Sequence, residues 1–125
     1  MEETKMEQYR AGKMVKFICS NCDYPLNDIF YVPDLICLIC GEIEMTPVSV
    51  PHTHRVDDVE AENIGISSVL VIKESHIAIH TWPYYQAARI VIDSCKDFSD
   101  QTILTFLQEK LKTQNINVIQ EESHS

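Results

Sequence analysis

Lys73-Glu74-Ser75-His76-Ile77-Ala78-Ile79-His80-Thr81-Trp82-Pro83 is the stretch whose reading decides the fold. The apolar run Val69-Leu70-Val71-Ile72 drives into it, and a second strand-like run, Ala87 to Asp93, leaves it. Side chains alternate along an extended strand, so Ile77 and Ile79 share one face while His76, Ala78 and His80 share the other. The small Ala78 leaves room beside the two imidazoles for something other than protein. The unbroken apolar run before Lys73 implies burial on both faces, as in a sheet with helices on one side and a partner on the other.

Working outward, Ser99-Asp100 makes a helix N-terminal cap. The helix Gln101 to Thr113 then carries Ile103, Leu104, Leu107 and Leu111 on one face. A short final strand, Ile116 to Ile119, precedes a polar tail. On the N-terminal side, Gly65-Ile66-Ser67-Ser68 leads into the central strand, and Thr46 to Val50 reads as a strand opened by Pro47. His52 and His54 lie two apart, so they share a strand face and can reach a ligand. The bland alternative is a pair of exposed loop histidines. The acidic segment Asp57-Asp58-Val59-Glu60-Ala61-Glu62 follows, and residues 1–12 read as a frayed lead-in.

Residues 1–45 hold four of the five cysteines, as Cys19-Ser20-Asn21-Cys22 and Cys37-Leu38-Ile39-Cys40. Two Cys-x-x-Cys knuckles can place four thiolates at the corners of a tetrahedron, which suits zinc. Gly41 after the last cysteine lets the backbone turn its amides toward sulfur. Tyr24-Pro25 and Val32-Pro33-Asp34 resemble the hairpins of a zinc ribbon, or of a rubredoxin-like iron knuckle. On this reading residues 1–45 are a zinc-ribbon-like segment with ligands Cys19, Cys22, Cys37 and Cys40, and residues 46–125 are an α/β domain. In the competing reading, Pro33-Asp34 start a helix to about Glu44, with Leu35, Ile36, Ile39 and Ile43 as its buried stripe and the cysteines inert. The metal is preferred because four cysteines in two knuckles are hard to obtain by accident.

The chain of 125 residues suits one domain, with or without a small appended module. Its formal net charge is −9, with four basic and eight acidic residues in 1–50 and six and eleven in 51–125. Neither half offers a basic surface for nucleic acid. No apolar stretch reaches membrane-spanning length, and the start Met1-Glu2-Glu3-Thr4-Lys5 is too charged for a signal peptide, so a cytoplasmic protein is expected.

The motif Glu74-Ser75-His76, His80-Thr81-Trp82-Pro83 and Cys95 resembles the core of the prokaryotic class of S-adenosylmethionine decarboxylases, from about Gly65 to the C-terminus. The resemblance implies a two-layer α/β (α+β) sandwich: an antiparallel sheet with helices on one face, assembled as a homodimer of processed two-chain protomers. It also implies a self-processing proenzyme that uses a pyruvoyl group and supplies the aminopropyl donor of spermidine and polyamine biosynthesis. That chemistry is physically coherent. Loss of carbon dioxide from an amino acid leaves a carbanion that no ordinary side chain stabilises, and a carbonyl that forms a Schiff base provides the electron sink. By the resemblance, Ser75 attacks the carbonyl of Glu74 and becomes the pyruvoyl group. Ser67 assists processing, His80 is the processing base and Cys95 is the proton donor of turnover. The same family opens with a strand, a turn and a long helix, which supports the helical reading of residues 33–44.

Two departures bear on the substrate. The family's Glu after Trp-Pro, expected to hold ribose hydroxyls, is Tyr84 here, and a tyrosine cannot reproduce a bidentate carboxylate. The loop aromatic expected to stack on adenine is missing. Tyr84 and His54 are the substrate-binding candidates. The alternatives to S-adenosylmethionine are a free basic amino acid, arginine or ornithine, or a non-catalytic zinc-ribbon homologue.

Overall fold

The computed structural model describes residues 12–122. Six strands form one antiparallel sheet: β1 (Lys13–Cys19), β2 (His52–Val56), β3 (Gly65–Ile72), β4 (Ser75–Trp82), β5 (Ala87–Ser94) and β6 (Ile116–Glu122), in the order β2-β3-β4-β5-β1-β6. Two helices, α1 (Tyr31–Glu42) and α2 (Asp100–Leu111), complete the fold. The two-layer α/β sandwich read from the sequence is what forms.

One face of the sheet carries the core. Val15 and Phe17 of β1, Ile66, Leu70 and Ile72 of β3, Ile77 and Ile79 of β4, and Ile90 and Ile92 of β5 are all buried. They join Leu35, Ile36 and Ile39 of α1 and Ile103, Leu107 and Leu111 of α2 in one apolar cluster. Burial of such side chains contributes roughly 1.5–3 kcal/mol each, which fixes the register of every central strand. The Ser99 hydroxyl caps α2 by accepting from the Thr102 N–H at 3.1 Å. Gly65 is required by a close approach: a Cβ there would stand 1.9 Å from the Thr81 carbonyl oxygen.

Three expectations are corrected. The segment with the cysteines is not a pair of metal-holding hairpins. Cys19 ends β1, while Cys37 and Cys40 lie on α1, whose buried side is the stripe of the competing helical reading. Residues on either side of the boundary at 45/46 share one sheet, since β1 sits between β5 and β6. Thr46–Val50 makes only an isolated bridge, Pro47 to Ile72, and the edge strand is instead His52–Val56. The lead-in read over residues 1–12 lies outside the described residues except for Gly12. Among the described residues no helix is long and apolar enough to cross a membrane.

Candidate active site

The pairing register lays the open face of the sheet out in rows. One row runs Glu121, Met14, Asp93, His76, Val71, and the next Ile119, Lys16, Val91, Ala78, Val69, His52. The third runs Asn117, Ile18, Arg89, His80, Ser67, His54. His76, Ala78 and His80 therefore share a face, as their alternation requires. Two clusters form on this face, at opposite ends of the β3–β4 hairpin.

The first cluster surrounds the Glu74–Ser75 peptide bond. Ile72 pairs with Ser75, which leaves Lys73-Glu74 as a two-residue turn. Such turns favour primed geometries with positive φ at one or both central residues, because these match the twist of the strands. Neither Lys73 nor Glu74 has positive φ; Ser75 does, at +157°. The turn therefore opposes the strand twist, and Ser75 absorbs the mismatch in a backbone region that residues with a Cβ populate sparsely. Strain of this kind costs about 1–3 kcal/mol and persists only when neighbours hold it. They do. Lys73 N–H donates to the Thr46 carbonyl at 2.9 Å, and the Cys95 N–H donates to the Glu74 carbonyl at 2.9 Å. Thr46 N–H also donates to the Glu74 carboxylate at 3.2 Å.

The pleat assigns Ser75 to the side of Ile77 and Ile79, yet its hydroxyl is bonded to residues of the open face. It donates to Asp93 Oδ2 at 3.1 Å and lies 3.3 Å from His76 Nδ1. His76 Nδ1 is in turn 3.8 Å from Asp93 Oδ2.

The second cluster is Ser67 and His80, cross-strand partners whose Oγ and Nδ1 lie 2.9 Å apart. They line a cavity of about 190 Å³ with Val56, Asn63, Gly65 and Trp82. Arg89, opposite His80, lays its guanidinium 5.4 Å from the centre of the Trp82 ring. Burial, reinforced by the Arg89 charge, lowers the pKa of His80 below the ordinary histidine value. The imidazole is thus in its neutral form at neutral pH, the form that can take up a proton. Thr81 anchors this end: its hydroxyl donates to the Leu26 carbonyl at 2.7 Å and accepts from the Ile66 N–H at 3.0 Å.

Ser67 and His80 thus come together, as do Glu74, Ser75 and the Cys95 backbone. The two groups do not meet within one chain. His80 is five residues along β4 from Ser75, about 17 Å at the rise of a strand. The Cys95 side chain is exposed beside the turn. Tyr84 is exposed in the short 3₁₀ turn Pro83–Tyr85, its ring 5.1 Å from that of Tyr85. His54 lies exposed on β2 opposite Ser67.

The four paired cysteines build no centre. Cys19 and Cys22 are buried, and burial pushes their thiols up to about 12 and about 11. Cys40 is buried and donates to the Met45 carbonyl at 3.3 Å, whereas Cys37 is exposed. Among the described residues, no three of His, Cys, Asp and Glu gather to hold a metal ion. Sequence reasoning missed Asp93 and Arg89. Their signal was present: two charges four apart in a run of otherwise apolar residues mark one face of β5.

Comparisons with known proteins agree with this architecture. A fold match to the crystal structure of the adenosylmethionine decarboxylase from Aquifex aeolicus has a TM-score of 0.75 at 20% identity, covering 93% of this chain and 97% of that one. The S-adenosylmethionine decarboxylase proenzyme of Thermosipho africanus is 44% identical over 57 residues, which is 45% of this chain and 44% of that protein. That of Pseudomonas paraeruginosa is 48% identical over 52 residues, 41% of this chain and 32% of that protein. The chain thus spans less than half the length of these curated relatives. The sequence model of the family described as S-adenosylmethionine decarboxylase matches residues 18–123, nearly the whole chain. The chain belongs to the S-adenosylmethionine decarboxylase family.

Proposed function

We propose that the chain is a proenzyme that cleaves itself between Glu74 and Ser75 and then decarboxylates S-adenosylmethionine, giving the aminopropyl donor of polyamine synthesis. The observation that carries this reading is the Glu74–Ser75 peptide itself. It is strained at Ser75, its carbonyl oxygen already accepts a backbone N–H, and its hydroxyl is held by a carboxylate. Attack of Ser75 Oγ on the Glu74 carbonyl carbon puts negative charge on the oxygen that the Cys95 N–H holds. A fixed donor at developing charge costs no reorganisation when the reaction occurs. The resulting ester cleaves when the Ser75 α-proton is removed and the Oγ–Cβ bond breaks, and hydrolysis leaves a pyruvoyl group. Once formed, that group supplies the electron-withdrawing carbonyl that a decarboxylation needs. Ser75 is then the pyruvoyl precursor, His80 the base for the α-proton, Ser67 its orienting partner and Cys95 the proton donor to product.

His80 and Ser67 of one chain lie about 17 Å from its own Ser75, so the reading needs a second copy. A two-fold axis crossing the strands would lay two open sheet faces together and bring the Ser75 end of one against the His80 end of the other. The face suits this: Ile18, Val71 and Ile119 are 37%, 42% and 39% exposed on it. Packing them together stabilises a dimer at about 25 cal/mol per Å² of apolar surface removed from water.

A second reading takes arginine or ornithine as the substrate, because Tyr84 cannot reproduce the bidentate carboxylate expected at that position. Asn63, which lines the His80 cavity, donates to the Asp58 carboxylate at 3.1 Å, so one acidic side chain stands beside the space that a distal cation would take. Carbon dioxide release from each labelled substrate, in parallel, separates the two. The nucleoside reading expects release from S-adenosylmethionine. It also expects Tyr84→Glu to raise that turnover roughly 10- to 150-fold, the worth of a charge-assisted hydrogen bond of about 1.5–3 kcal/mol. Release from arginine or ornithine alone would replace it with the second reading.

A further inference from the structure

We propose that Asp93 is the catalytic base of the first step of self-cleavage, taking the Ser75 hydroxyl proton as Oγ attacks the Glu74 carbonyl. This deepens the self-cleavage reading above and rests on it. The nearest proton acceptor to Oγ is Asp93 Oδ2, at 3.1 Å, and the hydroxyl already donates to it. Asp93 is fixed in place by the β4–β5 register, directly opposite His76. The carboxylate is half-buried, its side chain 24% exposed, so it is held beside Oγ rather than swinging free in solvent. Across the scissile carbonyl, the Cys95 N–H lies two residues further along the chain that carries Asp93. One short segment, Asp93 to Cys95, thus supplies both the acceptor for the proton and the donor for the oxyanion.

The step balances without any outside reactant. Oγ bonds to the Glu74 carbonyl carbon while its proton passes to Asp93, and the carbonyl electron pair moves onto oxygen. As that pair returns, the C–N bond of the peptide breaks. The Asp93 proton then goes to the leaving Ser75 nitrogen, giving a free amine and an ester. Asp93 ends as the carboxylate it began as. His76 Nδ1, at 3.3 Å, lies beside Oγ but is a less direct acceptor, and it faces Asp93 at 3.8 Å. The base that acts later, on the Ser75 α-proton, is a separate group at the other end of the hairpin, so the two proton transfers are assigned to different residues.

The test follows the full chain by denaturing gel and intact mass over time, for the wild type, Asp93→Asn, Asp93→Ala and His76→Ala, with folding checked by thermal melting. Hydroxylamine at neutral pH is applied to each, because it cuts an ester at residue 75 and spares an amide. Removing a general base costs about 100- to 10,000-fold, so Asp93→Asn and Asp93→Ala should stay folded, uncut and hydroxylamine-resistant while the wild type is processed. Added formate should restore cleavage to Asp93→Ala, which a purely structural role would not allow. Processing of Asp93→Asn at the wild-type rate overturns the proposal. So does an accumulated hydroxylamine-sensitive ester, which would place Asp93 after the shift. A folded His76→Ala that stalls as the amide while Asp93→Asn proceeds would assign the base to His76. If Asp93→Asn melts, formate rescue of Asp93→Ala decides alone. A wild type that never cleaves sinks the self-cleavage reading instead, so the two failures are distinguishable.

Discussion

Ser75→Ala leaves the protein a single uncut chain, at any incubation time, with its melting midpoint close to that of the unprocessed wild type. No hydroxyl remains to reach the Glu74 carbonyl, so the acyl shift is abolished rather than slowed. Side-chain loss costs little stability, because the bonds that Oγ makes to Asp93 and His76 lie on the open face and not in the core. The strained turn survives, since Thr46 and the Cys95 N–H still hold it. Denaturing electrophoresis reads the result directly. A cut Ser75→Ala chain would mean a contaminating protease, or a different nucleophile.

His80→Ala should stall at the next stage. Its acyl shift proceeds, but the Ser75 α-proton has lost its base, and elimination slows by about 100- to 10,000-fold. The chain then accumulates as an ester that hydroxylamine cuts at residue 75. Mixing makes the stronger test. Co-expressed with Ser75→Ala, the His80→Ala chain should be processed, because each mixed dimer owns one complete site, with Ser75 from one copy and His80 from the other. Mixed dimers in which nothing is processed would show that His80 acts on its own chain. That outcome would require the hairpin to rearrange over about 17 Å.

Much of the fold was legible because local periodicity and burial agreed. The alternation in β4, the apolar runs of β3 and β5, and the Ser99 cap with Ile103, Leu107 and Leu111 point to the elements that form. The edge strand β2 was placed too early. His52-Thr53-His54-Arg55-Val56 is mostly exposed and has no buried face to give a period-two signal, whereas Thr46–Val50 has the residue types of a strand without a pairing partner. The cysteines misled for a geometric reason. A spacing of three serves a metal knuckle and equally places two residues within one turn of a helix, and Cys37 and Cys40 take the second option. Within the site, Glu74, Ser75, His80, Ser67 and Cys95 were singled out from the motif. Its division into two ends was not legible, because the motif is continuous along the chain and only the strand register separates Ser75 from His80. Asp93 escaped for the same reason: it meets Ser75 through an 18-residue separation that only the β4–β5 pairing closes.

The account stands most directly on the intact mass of the purified wild-type chain. Two fragments are expected, residues 1–74 and 75–125, the second without a free amino group at its N-terminus because Ser75 has become pyruvoyl. A single intact chain after prolonged incubation, or a second fragment that begins with an ordinary serine amine, would contradict it.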